Sequence, residues 1–323
     1  MKLTYTVPQN GNYQNVKEVL KAEFLMSDRL LLKLKKMQKI SLNEKAVYVH
    51  HPIQYGDIIS CDLNYEEDNS NIVPTSISLS ILYEDEAFLI IDKPAGMPIH
   101  PSQDHYFDSL SNGVCFYFDT IGLKKKIRPV NRLDKDTSGI VIFAKNEYLQ
   151  ECLVKQMKSK TFVKKYIAIV NGHLEKKQGT ICAPIARKEN SIIERCVHPD
   201  GDTAITHYKV LSSKDITVSQ NFQNRKIPFS QFGYLPYAYN IVECTLETGR
   251  THQIRVHFAY LGHPLLGDTL YGTPSPFINR QALHCYHMIF THPITKEKIS
   301  VQAKLPEDIA IFFNKERNEI ENR

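Results

Sequence analysis

No two cysteines in this sequence stand in a CxxC spacing, and the seven present, Cys61, Cys115, Cys152, Cys182, Cys196, Cys244 and Cys285, are odd in number. A zinc ribbon and a disulfide framework are thereby disfavoured, and a reducing compartment fits. Long apolar runs are missing too. The longest uninterrupted ones, such as Ala87 to Ile91 and Ile140 to Ala144, fall far short of the ~18 residues of a membrane helix. The first residues, Met-Lys-Leu-Thr-Tyr-Thr-Val-Pro, lack the apolar core of a secretory signal. A soluble, cytoplasmic protein without a membrane partner is the expectation. Also absent are G-x-x-x-x-G-K, G-x-G-x-x-G, H-E-x-x-H and G-x-S-x-G. Nucleotide hydrolysis, dinucleotide redox chemistry, zincin chemistry and a standard serine hydrolase lose their best support.

What is present is ordinary in proportion. The chain has 323 residues, 42% hydrophobic and 23% charged, enough for one large or two domains with a real core. Its net charge of +5 permits a polyanionic partner without demanding one, because a nucleic-acid footprint depends on how the cations cluster.

Residues 12 to about 65 read as a small module. Val16, Val19, Leu20 and Phe24 recur at helical spacing, and a second helix pattern of Leu30, Leu31, Leu34 and Met37 follows Ser27-Asp28, which suit a cap. Five basic residues and no acid lie between Arg29 and Lys39: a solvated helix face, or one side of a polyanion site. Short strands are expected at Ala46 to Val49 and Asp57 to Leu63. Residues 66–79 are polar, hold a proline and look like a linker. From Ile81 short β-rich runs take over at Phe88 to Ile91, Ile140 to Ala144, Tyr166 to Val170, Ala204 to Val210 and Asn240 to Leu246. Helical stripes intervene at Glu147 to Met157 and Thr251 to Leu261. Without regular β-α-β alternation, the pattern argues for α+β with a mostly antiparallel sheet. Residues 212–238 read as a long loop.

Three segments are dense in polar chemistry. In Arg128-Pro-Val-Asn-Arg-Leu-Asp-Lys-Asp-Thr-Ser-Gly139, Asp134 sits between Arg132 and Lys135, whose charges favour its carboxylate form. The turn formers that follow could hold it at the rim of a cleft, or simply make a surface loop. In Leu246-Glu-Thr-Gly-Arg-Thr-His-Gln-Ile-Arg-Val-His257, Gly249 ends a strand and Thr251 is a candidate cap. Arg250 falls at the turn, and Arg255 leaves the apolar stripe, either toward solvent or toward a carboxylate or phosphate in a cleft. Lys155 to Tyr166 carries five lysines and no acid before an aromatic residue, and Lys124, Lys125, Lys126 and Arg128 form a further basic cluster. Cations beside an aromatic ring are what single-stranded RNA needs, although a solvated helix end would look the same. The histidines His252, His257 and His263, and His284, His287 and His292 with Cys285, match no strong metal spacing, so no metal site is expected.

Taken together, these segments resemble the RluA-type family of pseudouridine synthases. Arg132-Leu-Asp-Lys-Asp-Thr-Ser-Gly139 resembles the family's H-R-L-D-x-x-T-S-G motif, and Leu246 to His257 its L-x-T-G-R-T-H-Q-I/L-R-V-H motif. Gly262-His-Pro-Leu-Leu-Gly-Asp-Thr-Leu-Tyr-Gly272 resembles the continuation of the second. Leu89-Ile-Ile-Asp-Lys-Pro-Ala-Gly-Met97 and Lys164-Lys-Tyr-Ile-Ala-Ile-Val-Asn-Gly172 resemble the family's first and tyrosine motifs. All stand in the family's order over residues 80 to 305, a joint occurrence far more specific than any one motif.

The resemblance implies a mostly antiparallel sheet with a central catalytic cleft, and isomerisation of uridine to pseudouridine in structured RNA by base flipping, without cofactor or metal. It implies Asp134 as the catalytic carboxylate, Arg255 as the ion-pair partner holding it ionised and oriented, and Tyr166 as the ring that stacks on the target base and helps remove the proton from carbon five. Arg132 is implied to enter the RNA stack where the target base left, with Asn131, Arg250, Lys164 and Lys165 as further RNA contacts. Ribosomal RNA is expected ahead of transfer RNA, no DNA partner is expected, and the family's usual state is a monomer. Asn131 departs from the family's histidine: it keeps hydrogen bonding but loses ring stacking and titration. Residues 1–65 are expected to be a diverged alpha-L RNA-binding domain, 66–79 a linker and 80–323 the catalytic domain. Two other readings stay open, a non-catalytic RNA-binding or assembly factor on a synthase fold, and a hydrolase using Asp134 with a histidine.

Overall fold

A computed structural model describes residues 1–216 and 237–313. In chain order these form strand β1 (Lys2–Thr6), helices α1 (Val16–Ala22) and α2 (Asp28–Lys36), and strands β2 (Ile40–Leu42), β3 (Lys45–Ala46), β4 (Ile58–Asp62), β5 (Ile81–Glu84) and β6 (Phe88–Lys93). Helix α3 (Leu110–Thr120), strand β7 (Ser138–Ala144), helix α4 (Glu147–Lys158) and strands β8 (Val163–Asn171), β9 (Gln178–Cys182), β10 (Ile185–Arg187), β11 (Arg195–Val197), β12 (Ile205–Ile216) and β13 (Tyr237–Leu246) follow. Helix α5 (Gln253–Tyr260), strands β14 (Leu283–Thr291) and β15 (Lys298–Gln302) and helix α6 (Glu307–Ala310) complete the order. The chain divides into two compact units, one of Met1–Ile90, His100–Asn131 and Ile142–Gln156, the other of Ile91–Ile99, Arg132–Val141 and Met157–Arg323.

In the first unit, α1 starts where the Asn15 side chain accepts the Glu18 N–H at 3.2 Å, and it fully buries Val16, Val19 and Leu20. Ser27 caps α2 by accepting the Leu30 N–H at 3.1 Å, as its spacing before the apolar stripe predicts. Strands β1, β4, β2 and β3 make an antiparallel sheet in that order. Strand β1, whose single buried hydrophobe is Leu3, was not expected from the sequence. Of the expected strand Ala46 to Val49 only Ala46 is strand, as the second residue of β3.

The basic clusters of this unit are largely satisfied internally. Arg29 and Lys33 of α2 pair with Glu147, Lys33 also with Glu67 at 2.7 Å, and Lys39 with Asp62 at 2.8 Å. Arg128 grips the two oxygens of Glu67 at 2.6 and 2.8 Å. Burial pushes the Glu67 carboxyl up, but Arg128 and Lys33 outweigh it and hold its pKa below the ordinary value. Lys125 is buried and donates to the carbonyls of Leu63 and Tyr65. Residues 66–79 hold no helix or strand, yet they are bonded along their length: Glu67 N–H to the Lys124 carbonyl at 3.0 Å, Ile127 N–H to Asn69 Oδ1 at 2.9 Å, Asn112 Nδ2 to the Val73 carbonyl at 2.7 Å.

In the second unit the strand order is β7-β14-β8-β13-β12-β9, with β15 also on β14. Strands β7 and β14 pair in parallel, Ser138 and Gly139 lying opposite His284 and Cys285, while β14–β8, β8–β13, β13–β12, β12–β9 and β14–β15 are antiparallel. The class is therefore α+β with a mostly antiparallel sheet. Alternation along β8 and β13 sends Ile167, Ile169, Tyr239 and Ile241 into a core with Leu266, Phe277, Ile278 and Phe312. Tyr166, one residue before Ile167, takes the opposite face.

Two local expectations are corrected. Thr251 does not cap α5. His252 occupies the N-cap in the left-handed region, φ 58°, with no capping side-chain bond, and Gln253 Oε1 accepts the Arg250 N–H instead at 3.0 Å. The long loop expected at 212–238 is strand at both ends, since β12 runs to Ile216 and β13 begins at Tyr237; residues 217–236 lie outside the described residues. No helix among the described residues is long and apolar enough to cross a membrane.

Gly139, the second residue of β7, has φ 115°, and a Cβ there would stand 2.2 Å from the Cys285 carbonyl oxygen. Gly139→Ala should therefore cost at least ~3 kcal/mol, from the unfavourable backbone and the overlap together. Urea unfolding checks this, and a loss under ~1 kcal/mol, within the range of an unremarkable substitution, would refute it.

Candidate active site

The sharpest polar geometry of the second unit begins in the turn after Arg132. Thr137 N–H closes it onto the Asp134 carbonyl at 3.1 Å. Its next two carbonyls are each gripped by a cation. Lys93, fully buried, donates to the Lys135 carbonyl at 2.9 Å and to those of Pro94 and Met97 at 2.8 Å each. Arg280 donates to the Asp136 carbonyl at 3.0 Å and is itself fixed by both oxygens of Asp308 at 2.7 and 2.9 Å. Burial pulls the Lys93 pKa down to about 7 against the pull of Asp136 and Asp134, while three carbonyl acceptors match the three protons of an ammonium. Gln281 adds a bond to Thr137 Oγ1 at 3.2 Å. The backbone is thus pinned from behind, and the Asp134 side chain keeps 25% exposure.

Arg255 meets it. The third residue of α5, it is 7% exposed and carries three charge-assisted bonds: Nε and Nη2 to the two oxygens of Asp268 at 2.7 and 2.8 Å, and Nη1 to Asp134 Oδ2 at 3.1 Å. The ring of Tyr271 lies under the guanidinium, 5.1 Å from its carbon. Burial disfavours the Arg255 charge, but Asp268 and Asp134 outweigh that and hold its pKa above the ordinary value. Asp268 is itself fixed, its Oδ1 accepting the Leu270 and Tyr271 N–H groups at 3.1 and 3.2 Å. A planar fork held on one edge by a buried carboxylate presents its remaining N–H in a fixed direction.

Tyr166 stands on β8 opposite Cys244 on one side and Cys285 on the other. It is 6% exposed. Burial raises its pKa well above the ordinary value, and Cys285 and Asp134 add to the rise. Burial likewise pushes the Cys285 thiol up to about 12. Two residues earlier Lys164 is buried, its pKa lowered by burial, and Gly249 borders its ammonium so closely that a Cβ would lie 3.3 Å from Nζ.

Asp134, Arg255 and Tyr166 therefore belong to one unit, with Asp134 and Arg255 in direct contact. The other expected residues are placed differently. Arg132 is exposed at the head of the turn. Arg250 is exposed and bonded to the Thr203 carbonyl at 3.1 Å and to Asp202 at 3.3 Å. Lys165, on the other face of β8, pairs with Glu243 at 3.1 Å. Asn131, in the first unit, is 7% exposed and its Oδ1 accepts the Ile142 N–H at 3.0 Å, so its amide oxygen braces backbone. Sequence reasoning missed Asp268, Tyr271 and Lys93, although each stands inside a quoted motif, and it weighed His252 only as a metal ligand. Arg280 lies in no motif and gave no signal. Of the histidines, His257 is buried between Thr206 Oγ1 and the Ala183 carbonyl, 2.9 Å each, and His284 bonds Ser138 at 2.9 Å. No group of three or more His, Cys, Asp or Glu among the described residues is arranged to hold a metal ion.

A carboxylate braced by a doubly anchored arginine, with a buried tyrosine on a mixed sheet, is the setting in which comparisons with known proteins gain meaning. The family model described as RNA pseudouridylate synthase matches residues 87–260. The chain is 40% identical over 291 residues to the uncharacterized RNA pseudouridine synthase YhcT of Bacillus subtilis, covering 90% of this chain and 89% of that one. It is 33% identical over 288 residues to ribosomal large subunit pseudouridine synthase D of Nitrosomonas europaea, covering 86% and 77%. Among solved structures, human RNA pseudouridylate synthase domain containing 1 superposes with a TM-score of 0.54 at 25% identity, over 71% of this chain and 84% of that one. The chain belongs to the RluA-type RNA pseudouridine synthases, a family of isomerases.

Proposed function

We propose that this protein converts specific uridines of structured RNA to pseudouridine, with Asp134 as the catalytic carboxylate. The observation that carries the assignment is the bridge Asp268–Arg255–Asp134, which holds the carboxylate by Oδ2 and leaves Oδ1 for chemistry. In the reaction the bond from the sugar to N1 of the base breaks, the uracil turns, and a carbon–carbon bond forms from the sugar to C5. The proton of C5 leaves to water and N1 gains one. Asp134 serves as a free carboxylate whether it attacks the anomeric carbon or removes a proton from the neighbouring sugar carbon. No net oxidation or hydrolysis occurs, so the reaction as written balances without a cofactor.

A uridine in a stack must first be extruded, at a cost of a few kcal/mol. The ring of Tyr166 would offset part of this by stacking on the base, and exposed Arg132 by filling the gap. Lys164, buried near Tyr166 on β8 and paired with no carboxylate among the described residues, suits a phosphate of the target nucleotide. Residues 1–65 would contribute as an RNA-binding domain through Lys35, Lys36 and the exposed Tyr48, because Arg29, Lys33 and Lys39 are already paired. The names of several relatives point to large-subunit ribosomal RNA as the substrate class, ahead of transfer RNA. The non-catalytic alternative rested on Asn131, and a side chain engaged with Ile142 gives it no support.

The test is release of tritium from C5-labelled uridine in ribosomal and transfer RNA transcripts. Release from the large-subunit ribosomal pool is expected at catalytic turnover. Release of free uracil would favour the hydrolase, and no release with salt-sensitive RNA binding would favour the non-catalytic binder.

A further inference from the structure

His252 is unassigned by the reading above, yet it is the second side chain on the Asp134 carboxylate. Its Nε2 lies 3.9 Å from Oδ2, the oxygen that also accepts from Arg255. The residue has φ 58°, a conformation that non-glycine residues hold only when their surroundings fix it. Here the surroundings do. The side chain is 12% exposed, its Nδ1 is 2.8 Å from the Tyr271 hydroxyl, and the two rings meet edge to face at 5.6 Å. Tyr271 in turn accepts the Arg195 N–H of β11 at 2.8 Å. With its oxygen accepting from that amide, the tyrosine has its own proton to give to Nδ1. The imidazole proton then sits on Nε2 and faces the carboxylate.

We infer that His252 is a positioning residue for the Asp134 carboxylate, working as a neutral imidazole with its proton on Nε2. The inference rests on the isomerase reading of the site. Neutral, it sets a dipole beside Oδ2 and limits rotation of the carboxylate while Arg255 supplies the charge. Protonated, it becomes a second cation on the same oxygen. It then competes with Arg255 for the carboxylate and drains the electron density that a nucleophile or base requires, so turnover falls in acid. The charged groups facing the ring are Asp134 from the turn, Arg255 of α5, Asp268 beyond it and Arg195 of β11. Burial is the largest influence and lowers the His252 pKa; Asp134 opposes it, Arg255 and Arg195 reinforce it, and Asp268 opposes it, with a net value below 6.5. The neutral form therefore prevails at pH 7, and the acid limb belongs below pH 6.5.

The experiment measures single-turnover tritium release at saturating enzyme from pH 5.5 to 8.5, with RNA affinity measured alongside. The proteins are wild type, His252→Gln and His252→Asn, the last because asparagine suits a left-handed backbone. At pH 8 both variants should lose about tenfold in rate with RNA affinity within about twofold, since positioning acts on the chemical step. From pH 7 to 5.5 wild type should lose more than about twofold but no more than about eightfold, the ceiling for a ring whose pKa is lowered from the ordinary histidine value, and the variants less than about twofold, because only wild type has the titrating ring. Nitrogen-15 NMR of histidine-labelled protein supplies a readout independent of turnover. The resonance missing from His252→Gln should show the proton on Nε2, and Asp134→Asn should lower its pKa by removing the charge that raises it. A wild-type-shaped acid limb in both variants, or a proton on Nδ1, would overturn the role of His252 alone. No tritium release by wild type from any RNA would overturn the isomerase reading itself.

Discussion

Asp134→Asn should abolish tritium release, with a loss of at least ~10⁴-fold, while RNA affinity stays within about threefold. That loss corresponds to ~5.5 kcal/mol of transition-state stabilisation, more than any surrounding contact could account for. Asparagine has the same shape and keeps an oxygen that can accept from Arg255, but it is neither a nucleophile nor a base. The folded state should barely register the change. Asp134 is a quarter exposed, and Arg255 retains its two bonds to Asp268. Single-turnover assays with filter binding separate the two quantities. A residual rate within tenfold of wild type would remove Asp134 from the chemistry, and a parallel collapse of RNA affinity would make it a binding residue instead.

The parts of this site that were legible in the sequence are those carried by contiguous chemistry. The turn around Asp134 and the strand-to-helix segment around Arg255 each hold several candidate site residues within about ten positions, so motif order alone picked out both. Partners brought in by the fold were not legible. Arg29 and Glu147 are 118 positions apart, and Arg128 and Glu67 are 61 apart. A run of cations reads as a polyanion surface until the acids that consume it are located, and no local pattern locates them. Asn131 shows the same limit of sequence reading. Beside Arg132 in sequence, it looks like part of the RNA face, but it is buried and hydrogen-bonded to backbone. The start of α5 was misread because Thr is the commoner cap, whereas tertiary contacts through Tyr271 hold His252 in a conformation that propensity would not choose. The elements that periodicity did name, such as those at 140–144, 147–157 and 240–246, are present because each has a core to meet, whereas β1, α3, β14 and β15 were not named.

Asp268 provides the second large effect. It is 1% exposed, lies 13 positions from Arg255, and fixes that arginine by two bonds while being fixed by two backbone N–H groups. Asp268→Asn exchanges one acceptor for an amide that faces N–H donors and removes the counter-charge from a buried cation. Unfolding free energy should fall by ~3 kcal/mol, as for a buried pair broken on one side. Turnover at a temperature where the variant remains folded should fall by ~10²-fold, because Arg255 can then follow Asp134 rather than hold it still. The double variant Asp134→Asn with Asp268→Asn separates this from a plain packing defect. Either single variant leaves Arg255 one carboxylate, but the double leaves it none. Its destabilisation should therefore exceed the sum of the single losses by at least ~1 kcal/mol, the coupling expected of groups that share one partner. Thermal and urea unfolding of the four proteins measures that excess. Strict additivity would mean that Asp268 and Asp134 do not act through the same guanidinium, and the bridge would then have no part in holding the carboxylate proposed to be catalytic.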